Sequence, residues 1–375
     1  MAEPLARSHA HKERHSFWWR VHLDWPLLLG IMLLVGMGLL VLYSASGENM
    51  AMIKRQSLRL AFAASLMIII AQLPIRQLRG WILPIFLLGV VLLIAVLLFG
   101  HVGKGAQRWL DLKLFRFQPS EMMKLAMPLM LAWYFDQRRL PPRKRELAIA
   151  ALAILIPTAL IAKQPDLGTA LLVASSGIFV VFLAGIPWKI ILSVLIAGIS
   201  YIPIHWTYFM HDYQRQRVRT FLNPESDPLG SGYHIIQSKI AIGSGGVYGK
   251  GWMNGTQSQL DFLPERHTDF IFSVLAEELG FAGVILLLAL YLFIIGRCLF
   301  IATQAQDSFS RLAIGSLTLI FFTYVLVNIG MVSGLLPVVG LPLPLISYGG
   351  TSLVTLMAGF GVIMSLYTHR QLHSR

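Results

Sequence analysis

The chain has 375 residues, of which 56% are hydrophobic and only 13% charged, and its mean hydropathy is +0.66. A soluble globular domain carries roughly 25% charged residues, so the composition excludes an ordinary soluble enzyme. The formal net charge of +13 suits cations beside anionic lipid headgroups, and no basic domain stands apart from the apolar runs to suggest nucleic-acid binding.

A polar tail at 1–24 comes first. The apolar run behind it is longer than the roughly 7–15 residues of a signal-peptide core, so it reads as an anchor. Spanning hydrocarbon takes about 20 helical residues. Runs at 26–45, 57–73, 80–99, 119–136, 147–163, 168–185, 188–209, 269–296, 311–333 and 346–368 meet or approach that length. They predict an all-α polytopic membrane protein with about ten transmembrane helices, forming a single domain over 25–375. Pro and Gly end helices, which separates the close pairs near 163–168 and 185–188. No strand alternation competes, so a β-barrel is not expected.

Lys and Arg in short loops set orientation. The loop after the fourth run carries Arg138, Arg139, Arg143, Lys144 and Arg145. It places both termini in the cytoplasm of a cell with an inner membrane, and puts one long extracytoplasmic loop, about 210–268, between helices seven and eight. The bias is modest, because Lys54, Arg55, Lys104, Arg108, Lys113 and Arg116 fall outside. Cys298 is the only cysteine, which excludes an intramolecular disulfide and a thiol metal site.

Ionisable residues inside spans are costly and usually functional. Glu121 and Lys124 open the fourth span at i, i+3 and share a helix face. They form either a self-neutralising ion pair or the polar wall of a substrate cavity. Lys163 and Asp166 flank Gln164-Pro165, a broken helix end of the kind tolerated only under protein or water cover. Trp109 is either an interfacial belt residue or a surface for a sugar. In the long loop, apolar residues of Tyr233–Ile242 recur at helical spacing and predict an amphipathic helix on the outer membrane face. The glycine-dense Gly243–Gly251 stretch matches no phosphate-loop spacing and reads as backbone turning. At the loop's end, Thr268 or Asp269 is expected to cap the next helix, a role compatible with Asp269 acting as a base. Glu277 and Glu278 lie about 12 Å further along that helix at 1.5 Å per residue, either as buried partners or facing a lumen. The Leu341–Ser352 stretch, with two prolines and two glycines, predicts a rigid non-helical mouth for the last span.

Together, Gly105-Ala106-Gln107-Arg108-Trp109, Phe117-Gln118-Pro119-Ser120-Glu121, Gln164-Pro165-Asp166-Leu167-Gly168-Thr169, the Pro264–Phe272 run and Pro344-Leu345-Ile346-Ser347-Tyr348-Gly349-Gly350 resemble the SEDS family of cell-wall polymerases (RodA/FtsW/SpoVE). His211–Arg217 and Tyr233–Gly246 look most like its RodA branch, of cell elongation and rod shape. The resemblance implies peptidoglycan synthesis: polymerisation of lipid II into glycan strands at the outer membrane face. By match of motif, Asp269 is the essential acid, Trp109 the outer-loop tryptophan, and Glu121 and Lys124 the cavity pair. The family works with a class B penicillin-binding protein, a transpeptidase, among other membrane proteins of an elongation complex.

The chemistry this implies is direct displacement. The lipid pyrophosphate leaves the anomeric carbon of the lipid-linked nascent glycan as a sugar hydroxyl, its proton taken by Asp269, attacks that carbon. Arg215, Arg217 and Lys239 are candidates to neutralise the pyrophosphate, with Asp166 lining the site. A divalent cation could assist at Asp269 or Glu265, although no dedicated metal cage is evident. The alternative reading is a flippase for lipid-linked precursor, which intramembrane Glu121, Lys124 and Asp166 would also suit; a third is a scaffold of the elongation complex.

Overall fold

The structure, a computed structural model, describes residues 22–103, 106–111, 116–210, 212–226, 230–260, 262–263 and 265–369. The tail cations, Lys104, Gly105, Lys113, His211 and Pro264 lie outside these.

The long apolar helices are α1 (Trp25–Ala45), α2 (Met50–Gln72), α3 (Ile75–Phe99), α4 (Pro119–Asp136), α5 (Lys144–Lys163), α6 (Leu167–Leu183), α7 (Trp188–Ile204), α11 (Ile271–Thr303), α12 (Ser308–Val332) and α13 (Thr351–Thr368). Among the described residues, seven helices are long and apolar enough to cross a membrane. Of the other three, α2 carries Lys54, Arg55 and Arg59, α4 carries Glu121 and Lys124, and α6 has 17 residues. Between α7 and α11 lie a π-helical turn (His205–Phe209), α8 (Asp212–Leu222), α9 (Ser231–Ser244) and the short α10 (Thr256–Gln259).

The core runs along α12, which packs on α4, α6, α11 and α13. Its Ile314, Ile320, Phe321 and Tyr324 are buried. α2 lies lengthwise against α13, and α1 against α11. Asp24 caps α1 by accepting from the Leu27 N–H at 3.0 Å, and Arg297 grips the same carboxylate at 3.0 and 2.6 Å. That ties the start of α1 to α11. None of α7's residues is buried, so its apolar surface is left to lipid.

Four points refine or correct these expectations. Residues 101–103, 106–111 and 116–117 form a small antiparallel ribbon, β1 (His101–Gly103), β2 (Ala106–Asp111) and β3 (Arg116–Phe117). Strands this short show no legible alternation. Second, α9 is amphipathic, but its buried Ile235, Ser238 and Ala241 face protein. Ser238 Oγ meets Ser273 Oγ at 2.8 Å and donates to the Val332 carbonyl at 2.5 Å. The helix docks on α11 and α12 through this face.

The third point concerns the glycines at 245–251. α11 is interrupted at Gly280, whose φ is 64°. The segment inserts its backbone there: Lys250 and Gly251 N–H donate to the Glu277 and Glu278 carbonyls, both at 3.0 Å. Phe281 and Ala282 N–H donate to the Gly246 and Val247 carbonyls at 2.9 and 3.0 Å. A Cβ on Gly249 would fall 2.1 Å from the Glu278 carbonyl oxygen. The glycines therefore serve close backbone approach, beyond simple turning. The fourth correction is the helix cap. Phe270, not Thr268 or Asp269, stands at the N-cap of α11, and no side chain caps it.

Candidate active site

Asp269 sits in a turn, residues 265–270, immediately before α11. Glu265 opens it with a φ of 52°, a left-handed conformation that costs a non-glycine residue roughly 1–2 kcal/mol. The turn is held against the non-helical 341–350 segment, the rigid mouth expected from its prolines and glycines. Tyr348 N–H donates to the His267 carbonyl at 2.8 Å. Ser347 Oγ donates to the Thr268 carbonyl at 2.6 Å while accepting from Leu343 N–H at 2.8 Å. Asn328 Nδ2, from α12, donates to the Asp269 carbonyl at 2.9 Å and to the Leu341 carbonyl at 2.6 Å. Three successive carbonyls of the turn are thus occupied. The Asp269 side chain is half-buried.

A second group lies one helical turn away on α12. Lys124 Nζ contacts Glu121 Oε1 at 2.6 Å and the hydroxyl of Tyr324. Lys124 and Glu121 are only 3% and 7% exposed, so they form an ion pair in the interior. Glu121 Oε2 is buried with no hydrogen-bond partner. Tyr324 and Asn328, at i and i+4, share a face of α12 with a rise of about 6 Å between them. The Asp269 turn and the Glu121–Lys124 pair are therefore joined through one turn of a single helix.

Residues 334–341 gather the other candidates. Arg217 Nη1 donates to the Val338 carbonyl at 3.4 Å. Lys239 packs over Gly334, whose φ is 73°; a Cβ there would lie 2.2 Å from Lys239 Cε. Gly168 abuts Val339, and a Cβ on Gly340 would sit 3.4 Å from Asp269 Oδ2. Arg215 points elsewhere, donating to the Trp206 and Thr207 carbonyls at 3.1 and 3.0 Å, with Asp212 at 3.7 Å.

Asp166 caps α6 through Thr169 N–H at 3.3 Å, accepts from Gln118 Nε2 at 3.2 Å and faces Arg108 Nε at 3.6 Å. Trp109, next to Arg108 on β2, is half-buried and opposite His101. Asp166 thereby binds the ribbon to the bundle. Lys163 is exposed.

Glu277 and Glu278 are 0% and 1% exposed, which settles them as buried partners. Glu277 accepts from Lys250 Nζ at 2.7 Å, Thr256 Oγ1 at 3.1 Å and Gln257 N–H at 2.9 Å. Glu278 accepts from Ser44 Oγ. Both carboxylates hold the 250–258 segment, whose Ser258 carbonyl receives Arg266 from the Asp269 turn. Among the described residues no group of three or more His, Cys, Asp or Glu comes together to hold a metal. Glu265, bonded to Thr268 Oγ1 at 2.9 Å, is the carboxylate sharing the turn with Asp269.

Sequence reasoning missed Asn328, Tyr324 and Arg59. Arg59 lies over the Tyr348 ring at 4.7 Å. A signal existed for Asn328: a lone amide in an apolar helix.

The family of FtsW, RodA and SpoVE, described as cell cycle proteins, matches residues 25–372. The peptidoglycan glycosyltransferase MrdB of Escherichia coli strain K12 is 55% identical, covering 96% of this chain and 98% of that protein. The peptidoglycan glycosyltransferase RodA of Treponema pallidum is 32% identical, covering 92% and 97%. Among solved structures, a chain of a peptidoglycan synthase complex that coordinates polymerization and crosslinking superposes with a TM-score of 0.81 at 37% identity, covering 92% of this chain and 97% of that one. The rod shape determining protein RodA of Thermus thermophilus gives 0.71 at 32% identity, covering 93% and 98%. The fold, the order of its motifs and these matches place the chain in the SEDS family of FtsW, RodA and SpoVE proteins.

Proposed function

We propose that this chain is a peptidoglycan glycosyltransferase of cell elongation, polymerising lipid II on the outer face of the cytoplasmic membrane, with Asp269 as general base. The names of its relatives in Escherichia coli and Treponema pallidum support the activity. In this reading all ten long helices cross the membrane, the termini are cytoplasmic, and the ribbon and the 210–268 loop face outward. The observation that carries the role of Asp269 is its place. A half-buried carboxylate stands on a turn whose backbone is fixed by three donors, beside the loop that gathers Arg217 and Lys239.

The acceptor sugar hydroxyl gives its proton to the Asp269 carboxylate as its oxygen attacks the anomeric carbon of the donor. The new glycosidic bond forms as the bond to the lipid pyrophosphate breaks, and direct displacement inverts the centre. Arg217 and Lys239 neutralise the departing pyrophosphate, whereas Arg215 serves the backbone of the π-helical turn. In this reading the buried Glu121–Lys124 pair is a polar wall of the substrate site, one turn of α12 from the Asp269 turn. A divalent cation accompanying the pyrophosphate would meet Asp269 and Glu265, and the proton transfer does not run through it. The relative solved within a synthase complex supports a class B transpeptidase as partner.

The test is polymerisation of purified lipid II by the chain with its transpeptidase in detergent. Wild type should make glycan strands, and Asp269→Asn should make none while still folding and binding the partner. Full activity of Asp269→Asn would overturn the base assignment. A buried ion pair in a membrane helix also suits a flippase, but in detergent no bilayer exists to flip across. Strands formed there support the polymerase, and translocation in vesicles without strands would replace it.

A further inference from the structure

We propose that Asn328 is a positioning residue for the reaction: it sets the reach of the Asp269 carboxylate without touching substrate. This rests on the reading of Asp269 as the base.

Asn328 is fully buried on α12. Its two amide hydrogens go to two carbonyls, of Asp269 at 2.9 Å and Leu341 at 2.6 Å. Because both partners are pure acceptors, the amide orientation is fixed by chemistry. Its Oδ1 is left buried with no hydrogen-bond partner. A helix-to-helix contact made for stability alone would not favour an orientation that strands an acceptor. Holding those two carbonyls is what this side chain does.

The two carbonyls belong to two separate non-helical segments. The Asp269 turn begins at Glu265 with φ 52°, and Leu341 follows Gly340 with φ 76°. Each segment changes direction through a left-handed residue, so neither dictates the other's position. Gly340 itself approaches Asp269 Oδ2, since a Cβ there would stand 3.4 Å away. This amide joins the peptide that carries the base to the loop that brings in Arg217. General-base catalysis depends steeply on that geometry, and a displacement near 1 Å can cost on the order of 100-fold in rate. Ser347 and Tyr348 hold the preceding two carbonyls, which leaves Asn328 as the donor on the Asp269 peptide itself.

The experiment measures kcat and KM for lipid II polymerisation by the full chain with its transpeptidase partner. Variants are Asn328→Asp, Asn328→Leu, Asp269→Asn and the double variant Asn328→Leu/Asp269→Asn. Thermal unfolding in detergent and partner binding are read on each. Expected is a 10- to 100-fold loss in kcat for Asn328→Asp, with KM within about twofold of wild type and the partner still bound. The double variant should be no slower than Asp269→Asn alone. Should the Asn328 variants unfold, Ser347→Ala, which frees the adjoining carbonyl, is expected to show a smaller loss confined to kcat. Wild-type kcat in a folded Asn328→Asp, or a loss in KM alone, overturns the positioning role even with Asp269→Asn inactive. With the Asn328 variants unfolded, wild-type kcat in Ser347→Ala overturns it as well. An active Asp269→Asn instead overturns the base reading, and this inference with it.

Discussion

Lys124 and Glu121 face each other at 2.6 Å, one turn apart on α4, with the Tyr324 hydroxyl closing the group from α12. Removing one member of a buried pair leaves an uncompensated charge, a loss of about 3–5 kcal/mol. Lys124→Met should therefore lower stability by that order in thermal unfolding in detergent. The double variant Lys124→Met/Glu121→Gln should recover most of it. On the proposed reading of the pair as a polar wall of the substrate site, neither should polymerise lipid II normally; a normal rate in the double variant would make the pair purely structural.

Gly280 and Gly249 touch backbone to backbone. A Cβ on Gly280 would lie 2.2 Å from the Gly249 nitrogen, at a φ of 64°. Gly280→Ala should abolish the folded monomer peak in size-exclusion chromatography. Gly243→Ala, where nothing lies within 4 Å, should elute as wild type.

Asp166 caps α6 and tethers the ribbon through Arg108 and Gln118. Loss of an N-cap costs about 1 kcal/mol. Asp166→Asn keeps an oxygen for the cap, but its NH2 cannot accept from Gln118 Nε2, and the charge facing Arg108 is lost. That variant should retain the cap's share of the stability that Asp166→Ala loses. Proteolysis of the ribbon should accelerate in both variants. Wild-type protection in both would leave the tether without effect.

At the end of the bundle nearest the termini, His22 and His369 stack with centroids 3.8 Å apart. Burial, and then the neighbouring His369, hold the His22 imidazole below its ordinary value near 6.5. The folded state thus favours neutral His22. Its contribution is complete above about pH 6.5 and falls as pH drops towards the lowered folded value. Thermal stability should decline from pH 7 to pH 5.5, and less so in His22→Phe, which keeps the stack without the proton. Identical slopes for the two proteins would rule out this linkage.

The helices were legible because apolar runs of span length follow directly from sequence. The Glu121–Lys124 pair was legible too, since i, i+3 spacing settles which face it occupies. The glycine stretch was not, because its reason lies in the interruption at Gly280, whose partner segment is some thirty residues earlier. The ribbon escaped because two- to six-residue strands in a cation-rich loop carry no periodicity. The cap was misplaced by one residue or two: Thr268 and Asp269 have suitable side chains, but the clamp on their carbonyls holds them in a turn. Asn328 carries no motif, and its meaning emerges only once Leu341 and Asp269 are seen on either side of it.

The filled interruption in α11 also dictates an order of assembly. A helix broken inside hydrocarbon leaves unsatisfied groups worth several kcal/mol each. Here four of those bonds come from residues 246–251. That segment is synthesised before α11, so the template precedes the helix that needs it. The four bonds tie the folding of α11 to the docking of the 246–251 segment. A chain that stalls the loop on the wrong side would strand the helix as well.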